Sequence, residues 1–236
     1  MWQLDILPTA QSVDSEQISN STACVIDVLR ATSVITTALA NGATQVVAVA
    51  TTDEALQYRR QNASGVLLGG ERNADKIDGF DLDNSPLRYT PEVVAGKTIV
   101  LTTTTGTLAL SKCRRCRQTL VASLLNTSAT IEYLSQHSCD ITIVCAGTEG
   151  RFSLEDALCA GMIADALRHR FRLTDFALAM AQMYNSACAE LKHFASQGFH
   201  YQRLVQKGYA ADIDFCFDTS KQLPVVVCEG ETCRLG

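Results

Sequence analysis

Short apolar runs alternate with segments of helical periodicity along most of the chain. The runs are rich in Val and Ile and are bounded by polar residues, which is typical of buried strands. The predicted strands cover residues 23–29, 45–50, 65–68, 98–103, 119–122 and 140–145, and residues 4–7 suit an additional edge strand. The segments between the strands place apolar residues on one helical face. The predicted helices cover residues 32–40, 52–61, 106–113, 128–136 and 153–168.

Alternating strands and helices predict an α/β structure, with right-handed crossovers that place helices on both faces of a mostly parallel sheet. The pattern changes after residue 170, because residues 174–194 and 196–206 both show helical periodicity. Residues 224–228 are predicted to form a final strand. No repeat or Pro/Gly/Ser-rich linker interrupts the sequence. We therefore predict a single domain over residues 1–236 with a helical C-terminal portion.

Composition fits a folded domain and disfavours two kinds of partner. Of the 236 residues, 47% are hydrophobic and 19% are charged, so the chain can bury a sizeable core. The net charge of −5 disfavours nucleic acid, and the basic run at residues 112–117 is interpreted as a solvated helix end. No segment approaches membrane-spanning length, and the first residues lack a secretory-signal pattern. We expect a cytoplasmic protein without a membrane partner.

The ten cysteines do not form a recognisable disulfide or zinc pattern. Most lie inside apolar runs and are predicted to be small core residues; examples are Cys24, Cys145, Cys159 and Cys188. The one Cys-x-x-Cys pair, Cys113 and Cys116, lacks a second pair at zinc-ribbon spacing. We interpret it as a pair of exposed thiols.

Polar residues collect directly after several predicted strands. Since ligands bind beyond the carboxyl ends of parallel strands, these residues are expected to share one site. Hydroxyls, glycines and helix starts at such an edge favour a bound anion, and arginines can add bidentate hydrogen bonds to it. The candidate residues are Asp27, Arg30, Thr32 and Ser33, then Glu71 and Arg72, then Thr104, Thr105, Gly106 and Thr107, and finally Gly147, Thr148 and Arg151.

Carboxylates in the same loops suit a hard, oxygen-ligated cation such as Mg²⁺. Asp27 and Glu71 follow strands, and Asp81 and Asp83 lie in a nearby loop. Pairing of these carboxylates with the arginines is the simpler structural alternative. Ser153 and Asp156 match a capping box at the start of a long helix. Glu155, between them, is left as a candidate ligand or base.

Two further observations concern the choice of catalytic group. Residues 145–151 fit Cys-x5-Arg between a strand and a helix, so a metal-free phosphatase with Cys145 as nucleophile is an alternative. The four histidines all fall in helical stretches, none directly after a strand, and are predicted to have surface or helix-end roles. Carboxylates are therefore the favoured acid–base groups.

Several ordered blocks together resemble the 2-phosphosulfolactate phosphatase family over nearly the whole chain. They are Val-Ile-Asp-Val-Leu-Arg-Ala-Thr-Ser at 25–33, Gly-Gly-Glu-Arg at 69–72, residues 79–86, residues 145–161, and Lys-Gly-Tyr at 207–209. At one position the chain departs from the family. Thr105 occupies the Asn position of a Thr-Thr-Asn-Gly-Thr loop, and a hydroxyl lacks the separate donor and acceptor of an amide.

This resemblance implies a three-layer α/β/α fold with a largely parallel or mixed central sheet. It also implies a Mg²⁺-dependent phosphatase that cleaves 2-phospho-3-sulfolactate, or a related small phosphorylated acid, on a route to coenzyme M. The residues to which the resemblance assigns the site are Asp27, Arg30, Glu71, Arg72, Thr104, Gly106, Thr107 and Glu155.

We accordingly expect Asp27 and Glu71 to bind the metal, with Glu155 as an alternative ligand, and Asp27, Arg30 and Glu155 to be catalytic. The threonine loop and Arg72 are expected to bind substrate and offset developing charge. Either water or Asp27 attacks phosphorus. The remaining alternative is a non-catalytic protein that binds a phosphorylated or sulfonated metabolite. A homodimer is the expected assembly on general grounds.

Overall fold

The computed structural model describes residues 1–62 and 64–236. Its strands are β1 (Gln3–Leu7), β2 (Thr22–Ile26), β3 (Gln45–Ala48), β4 (Val66–Arg72), β5 (Asp75–Lys76), β6 (Thr98–Thr102), β7 (Gln118–Ala122), β8 (Ile141–Cys145), β9 (Arg172–Leu173), β10 (Val226–Glu229) and β11 (Thr232–Leu235). Its helices are α1 (Ala31–Ala40), α2 (Thr52–Gln61), α3 (Pro91–Val94), α4 (Gly106–Cys113), α5 (Thr127–Ser135), α6 (Leu154–Leu167), α7 (Asp175–Ala187), α8 (Leu191–Ala195), α9 (Phe199–Gln206) and α10 (Ala210–Cys216).

The described strands form one mixed sheet in the order β5-β4-β6-β3-β11-β10-β7-β2-β8-β1-β9. Pairing is parallel among β4, β6 and β3 and among β7, β2, β8, β1 and β9. The hairpin β10–β11 lies between these two groups and pairs antiparallel with both neighbours. The predicted α/β class and mixed sheet are confirmed.

The sheet curls around α1 and α4. Successive antiparallel pairings reverse the strand direction between the two groups, so a flat sheet would place their carboxyl ends at opposite edges. Instead α4 packs against both β2 and β3, and α1 packs against β3, β7 and β11. Strand twist accumulates across a sheet and permits this curvature. As a result, the carboxyl ends of β2 and β6 meet.

Apolar side chains fill both faces of the sheet. Successive residues of β2 alternate between faces: Val25 joins the inner core with α1 and α4, whereas Ile26 joins the outer core with α6 and α7. On the other parallel group, α2 covers a smaller cluster around Leu68 and Phe80. Helices α6 and α7 pack closely because residue 161 is glycine: a Cβ there would lie 2.2 Å from the Met180 carbonyl oxygen.

Most predicted elements are present, with shifted ends and some breaks. The predicted helix 174–194 is wrong as a single element, since a 3-10 turn spans Cys188–Glu190 and Glu190 has a non-helical backbone (φ −140°, ψ 50°) before α8. The predicted strand 23–29 ends at Ile26 because Asp27 begins the loop into α1. The short strands β5, β9 and β11 were not predicted; in β11, for example, Arg234 is exposed.

The cysteine predictions are only partly confirmed. Cys24, Cys145 and Cys159 are buried, but Cys188 is exposed on the last turn beyond α7. Cys113 is buried rather than exposed, because it faces the inner core from the end of α4. Cys228 and Cys233 face each other across the β10–β11 hairpin and form a disulfide. Within the described residues, no helix is long and apolar enough to cross a membrane.

Candidate active site

A small cavity of about 60 Å³ lies where the two parallel groups of strands meet. Loops after β2, β4, β6 and β8 form one side of it, and α9 covers it. Its polar and charged lining residues are Asp27, Arg30, Glu71, Asn73, Asn84, Thr104, Thr105, Thr148, Glu149, His200 and Arg203. Six of the predicted site residues therefore line one cavity, namely Asp27, Arg30, Glu71, Thr104, Thr105 and Thr148.

Asp27 is held rigidly at the end of β2. Its backbone N–H donates to the Thr32 hydroxyl (2.9 Å), the same hydroxyl donates to the Asp27 carbonyl (2.8 Å), and Ala31 N–H donates to Asp27 Oδ1 (3.2 Å). The side chain is buried. Burial raises the pKa of Asp27 to about 6, with smaller upward effects from Glu71 and Glu155, while the charge of His200 and the Ala31 N–H oppose the shift.

The first helical turn of α4 lies against Asp27. A Cβ on Gly106 would be 2.6 Å from Asp27 Oδ2 and 2.5 Å from the Ala31 Cβ, so only glycine allows this approach. Thr105, at the N-cap position, makes no side-chain cap hydrogen bond. It lines the cavity beside the helix start, where the helix dipole favours an anion.

Glu71 joins two loops below the cavity. Its Oε1 accepts from Thr104 N–H (2.7 Å) and its Oε2 accepts from Ala74 N–H (2.6 Å) and the Thr104 hydroxyl (3.2 Å). Asn73 and Ala74 both have left-handed backbone conformations, with φ of 56° and 70°. Such strain persists where surrounding contacts impose it and is common at functional sites.

Arg30 is fixed by neighbours rather than free to swing onto a ligand. One guanidinium nitrogen pairs with Asp212 Oδ2 (2.5 Å) and another donates to the Ala74 carbonyl (3.1 Å). The guanidinium also stacks 4.0 Å from the Tyr209 ring centroid. Asp212 in turn accepts from the Ser85 hydroxyl (2.6 Å). The cavity therefore presents a positive charge whose position is set by the C-terminal helices.

The helix α9 closes the opposite side of the cavity. His200 Nδ1 lies 2.8 Å from Glu155 Oε1, and Arg203 pairs with Glu149 (2.5 Å) at the rim. Glu155 is buried, and its Oε2 has no hydrogen-bond partner within the described part of the chain. His200 lies in the first turn of α9 and also lines the cavity, because the C-terminal helices fold back over the strand ends.

The predicted capping box at α6 is also wrong. Ser153 makes no cap hydrogen bond, and its hydroxyl instead contacts the Thr148 hydroxyl (2.7 Å). Asp156 accepts from Val28 N–H (2.8 Å) and Gly147 N–H (3.0 Å). It thereby fixes the loops after β2 and β8, which both border the cavity.

Some predicted binding residues have internal hydrogen bonds instead of a place in the cavity lining. The Ser33 hydroxyl donates to the Val28 carbonyl (2.8 Å), as Thr32 does to Asp27. Thr103 and Thr107 exchange hydrogen bonds between hydroxyl and backbone. Arg72 donates to the Glu71 carbonyl (2.7 Å) and the Thr102 hydroxyl (3.0 Å). These contacts shape the loops that carry the lining residues.

Cys145 is unsuited to nucleophilic attack. Its side chain is buried, and burial raises the pKa of the thiol well above its ordinary value. In the following loop, the amides nearest Cys145 are engaged internally: Gly147 N–H donates to Asp156 Oδ2 (3.0 Å) and Thr148 N–H to the Arg151 carbonyl (2.9 Å). Arg151 is exposed. The Cys-x5-Arg interpretation therefore lacks its structural basis.

Asp27 and Glu71 are the carboxylates that fit a hard cation at this site. Mg²⁺ commonly uses one or two carboxylates together with waters and substrate oxygens. Over residues 1–62 and 64–236, no group of three or more His, Cys, Asp or Glu side chains is arranged as a complete metal site. Asp81 instead accepts from Arg59 (3.1 Å) and Leu68 N–H (2.8 Å), and it is not part of the cavity lining.

The fold and site together define an α/β protein with a small covered cavity, lined by carboxylates, hydroxyls and arginines at the strand ends. A sequence profile described as 2-phosphosulpholactate phosphatase matches residues 7–231. Similar proteins named "Probable 2-phosphosulfolactate phosphatase" occur in Thermotoga maritima (49% identical, 87% of this chain and 89% of the relative), Caldanaerobacter subterraneus subsp. tengcongensis (43%, 92% of each) and Clostridium acetobutylicum (41%, 91% and 92%). The chain belongs to the 2-phosphosulfolactate phosphatase family, whose members are phosphoric monoester hydrolases.

Proposed function

We propose that this protein is a Mg²⁺-dependent phosphomonoesterase acting on 2-phospho-3-sulfolactate or a closely related small phosphorylated acid, and releasing the 2-hydroxy acid and phosphate. The observation that supports this proposal is the shared cavity of Asp27, Glu71, Arg30 and the start of α4. It combines hard oxygen ligands with fixed positive charge. Family membership supports the reaction class.

Asp27 and Glu71 are the proposed metal-binding residues. A bound Mg²⁺ would neutralise phosphate charge as the ester bond breaks. Asp27 presents Oδ2 beside Gly106, while its Oδ1 is held by Ala31. Both Glu71 oxygens already accept backbone N–H groups, which fix the carboxylate and leave further lone pairs for a ligand.

Substrate anchoring is assigned to groups whose positions are fixed before binding. Arg30 offers a positive charge immobilised by Asp212 and Tyr209, and Arg203 supplies another at the rim. Thr104 and Thr105 line the cavity at the start of α4. A fixed arrangement of this kind stabilises developing negative charge without reorganisation during the reaction.

Phosphate release from 2-phospho-3-sulfolactate and from 2-phospholactate, with Mg²⁺ and with EDTA, tests this proposal. We expect release from the sulfonated substrate that depends on Mg²⁺, and a loss of at least about 100-fold in Asp27→Asn. Asp78→Asn, an exposed aspartate in the β5–Phe80 loop, is the matched control and should retain activity. Saturable binding without phosphate release would instead identify a binding protein. Full activity in EDTA or in Asp27→Asn would reject the metal role.

A further inference from the structure

His200 differs from the other histidines in its surroundings. It lines the cavity from α9, and its side chain is mostly buried. His169 and His193 are exposed, and His137 contacts Gln118 and the Tyr133 carbonyl away from the cavity. Only His200, among the described histidines, thus has access to a ligand held by Asp27 and Glu71.

The contact with Glu155 assigns different roles to the two ring nitrogens. An ionised carboxylate can only accept a hydrogen bond, so Nδ1–H of His200 donates to Glu155 Oε1 (2.8 Å). Glu155 is 1% exposed and is fixed at the start of α6. This hydrogen bond sets the ring orientation and leaves Nε2 as the nitrogen available to a ligand. Carboxylate–histidine pairs of this kind orient acid–base groups in enzymes.

His200 enters the cavity from a different wall than the phosphate-binding groups. Asp27, Glu71 and Thr104 come from strand ends, whereas His200 comes from the helical cover. The two walls are close enough for the His200 charge to lower the pKa of Asp27. In-line displacement at phosphorus places the attacking and leaving oxygens on opposite sides. A phosphoryl group held at the strand ends and attacked from there would direct its leaving oxygen toward α9.

The proposed substrate has a leaving group that needs a general acid on the α9 side of the cavity. The leaving group of a phosphorylated 2-hydroxy acid is a secondary alkoxide, which is a strong base and a poor leaving group. Protonation of the departing oxygen by a positioned side chain typically contributes about 100- to 10,000-fold. Arg30 and Arg203 keep their protons, Asp27 and Glu71 are the proposed metal-binding residues, and Glu149 is paired with Arg203. The His200 ring is the remaining side chain of this set that can carry a proton to the leaving oxygen.

We propose that His200 is the general acid of the reaction and that Glu155 is its positioning residue; this inference rests on the proposed phosphatase function. The ester P–O bond breaks and its electron pair goes to the ester oxygen, which takes the proton from His200 Nε2. The product leaves as a 2-hydroxy acid whose new hydroxyl group is neutral. Water supplies the oxygen added to phosphorus, and one of its protons restores the imidazolium.

Leaving-group dependence tests this role directly. We expect His200→Asn to reduce kcat on 2-phospholactate by about 100-fold or more, and on p-nitrophenyl phosphate by less than about 10-fold, because a nitrophenolate departs without protonation. KM for 2-phospholactate should change little. His193→Asn, an exposed histidine on α8, is the matched control and should behave as wild type on both substrates. His200→Gln, which donates a hydrogen bond but no proton, guards against misfolding of the first variant and should show the same selectivity.

Glu155→Gln should reproduce the selective loss on 2-phospholactate to a smaller extent, which a merely structural role would not do. Equal losses on both substrates in the His200 variants, or wild-type activity on 2-phospholactate, would overturn the proposal. A phosphoenzyme formed by wild type and absent from His200→Gln would also overturn it, because His200 would then be the nucleophile. If wild type releases no phosphate from any ester, the proposed function itself fails, and that result is distinct from all of these.

Discussion

Replacement of Asp27 by Asn should stabilise the metal-free protein at neutral pH while abolishing activity. Burial raises the pKa of Asp27 from its ordinary value of 3.8 to about 6. The folded state therefore favours the protonated carboxyl. The protonated carboxyl therefore contributes to the free energy of unfolding at low pH, and this contribution is lost as pH rises toward about 6. Above that pH, the free-energy cost of burying the ionised carboxylate stays constant. Asparagine mimics the neutral carboxyl and removes that cost.

The size of the effect follows from linkage. A pKa raised to about 6 makes ionisation of Asp27 cost about 3 kcal/mol of folding free energy near pH 7.5, and only about 0.5 kcal/mol near pH 4. For a chain of this length, removal of the cost of about 3 kcal/mol corresponds to a rise in Tm of roughly 6–12 °C near pH 7.5. This is an upper value, because Asn replaces an oxygen beside Gly106 with an amide group.

Thermal unfolding of wild type and Asp27→Asn in EDTA, between about pH 4 and pH 7.5, measures this directly. The two Tm curves should converge at acid pH and separate as pH rises. Added Mg²⁺ should raise the Tm of wild type near neutral pH and leave the variant unchanged. Asp78→Asn should follow wild type throughout. Parallel curves for Asp27→Asn and wild type would refute the reasoning, since they would show that Asp27 carries no ionisation cost.

Three further substitutions test other parts of the site. Gly106→Ala should lower kcat/KM at least about 10-fold and the free energy of unfolding by about 1–3 kcal/mol, because a Cβ would displace Asp27 or Ala31. Phosphate release measures the first effect and urea unfolding the second. Wild-type values in both assays would contradict the close approach of Gly106 to Asp27. Asp212→Asn should cost about 3–5 kcal/mol in urea unfolding, since Arg30 would stay buried without its carboxylate. A loss under about 1 kcal/mol would show that the pair is dispensable. Cys145→Ser should retain phosphatase activity, and an inactive but folded variant would restore the cysteine mechanism.

The sheet could be predicted from sequence because its strands are short apolar runs flanked by helical periodicity. That local signal places Asp27, Glu71 and Thr104 at strand ends, where ligands bind in α/β folds. Whether each predicted residue acts in binding or catalysis stays a prediction. The placement of six of them around one cavity follows from the fold.

The other half of the cavity could not be predicted in the same way. His200, Arg203 and Asp212 lie on helices whose periodicity reports only an apolar face, not what that face covers. Their positions depend on tertiary packing of α9 and α10 over the strand ends. Similarly, the local sequence around Asp156 is the same whether its carboxylate caps α6 or, as in the structure, links two loops. The block at residues 207–209 was the one signal that pointed to this region.

The central hairpin has a consequence for the order in which the molecule assembles. Strands β10 and β11 follow every other strand in the chain, yet they lie between β7 and β3 in the sheet. During synthesis, the two parallel groups therefore emerge from the ribosome before the strands that join them. Each group of strands can pack against its own helices, but the cavity at their junction forms only when residues 226–235 join the sheet. The cavity is thus completed only after the hairpin is available, well after synthesis of the strands that supply Asp27, Glu71 and Thr104.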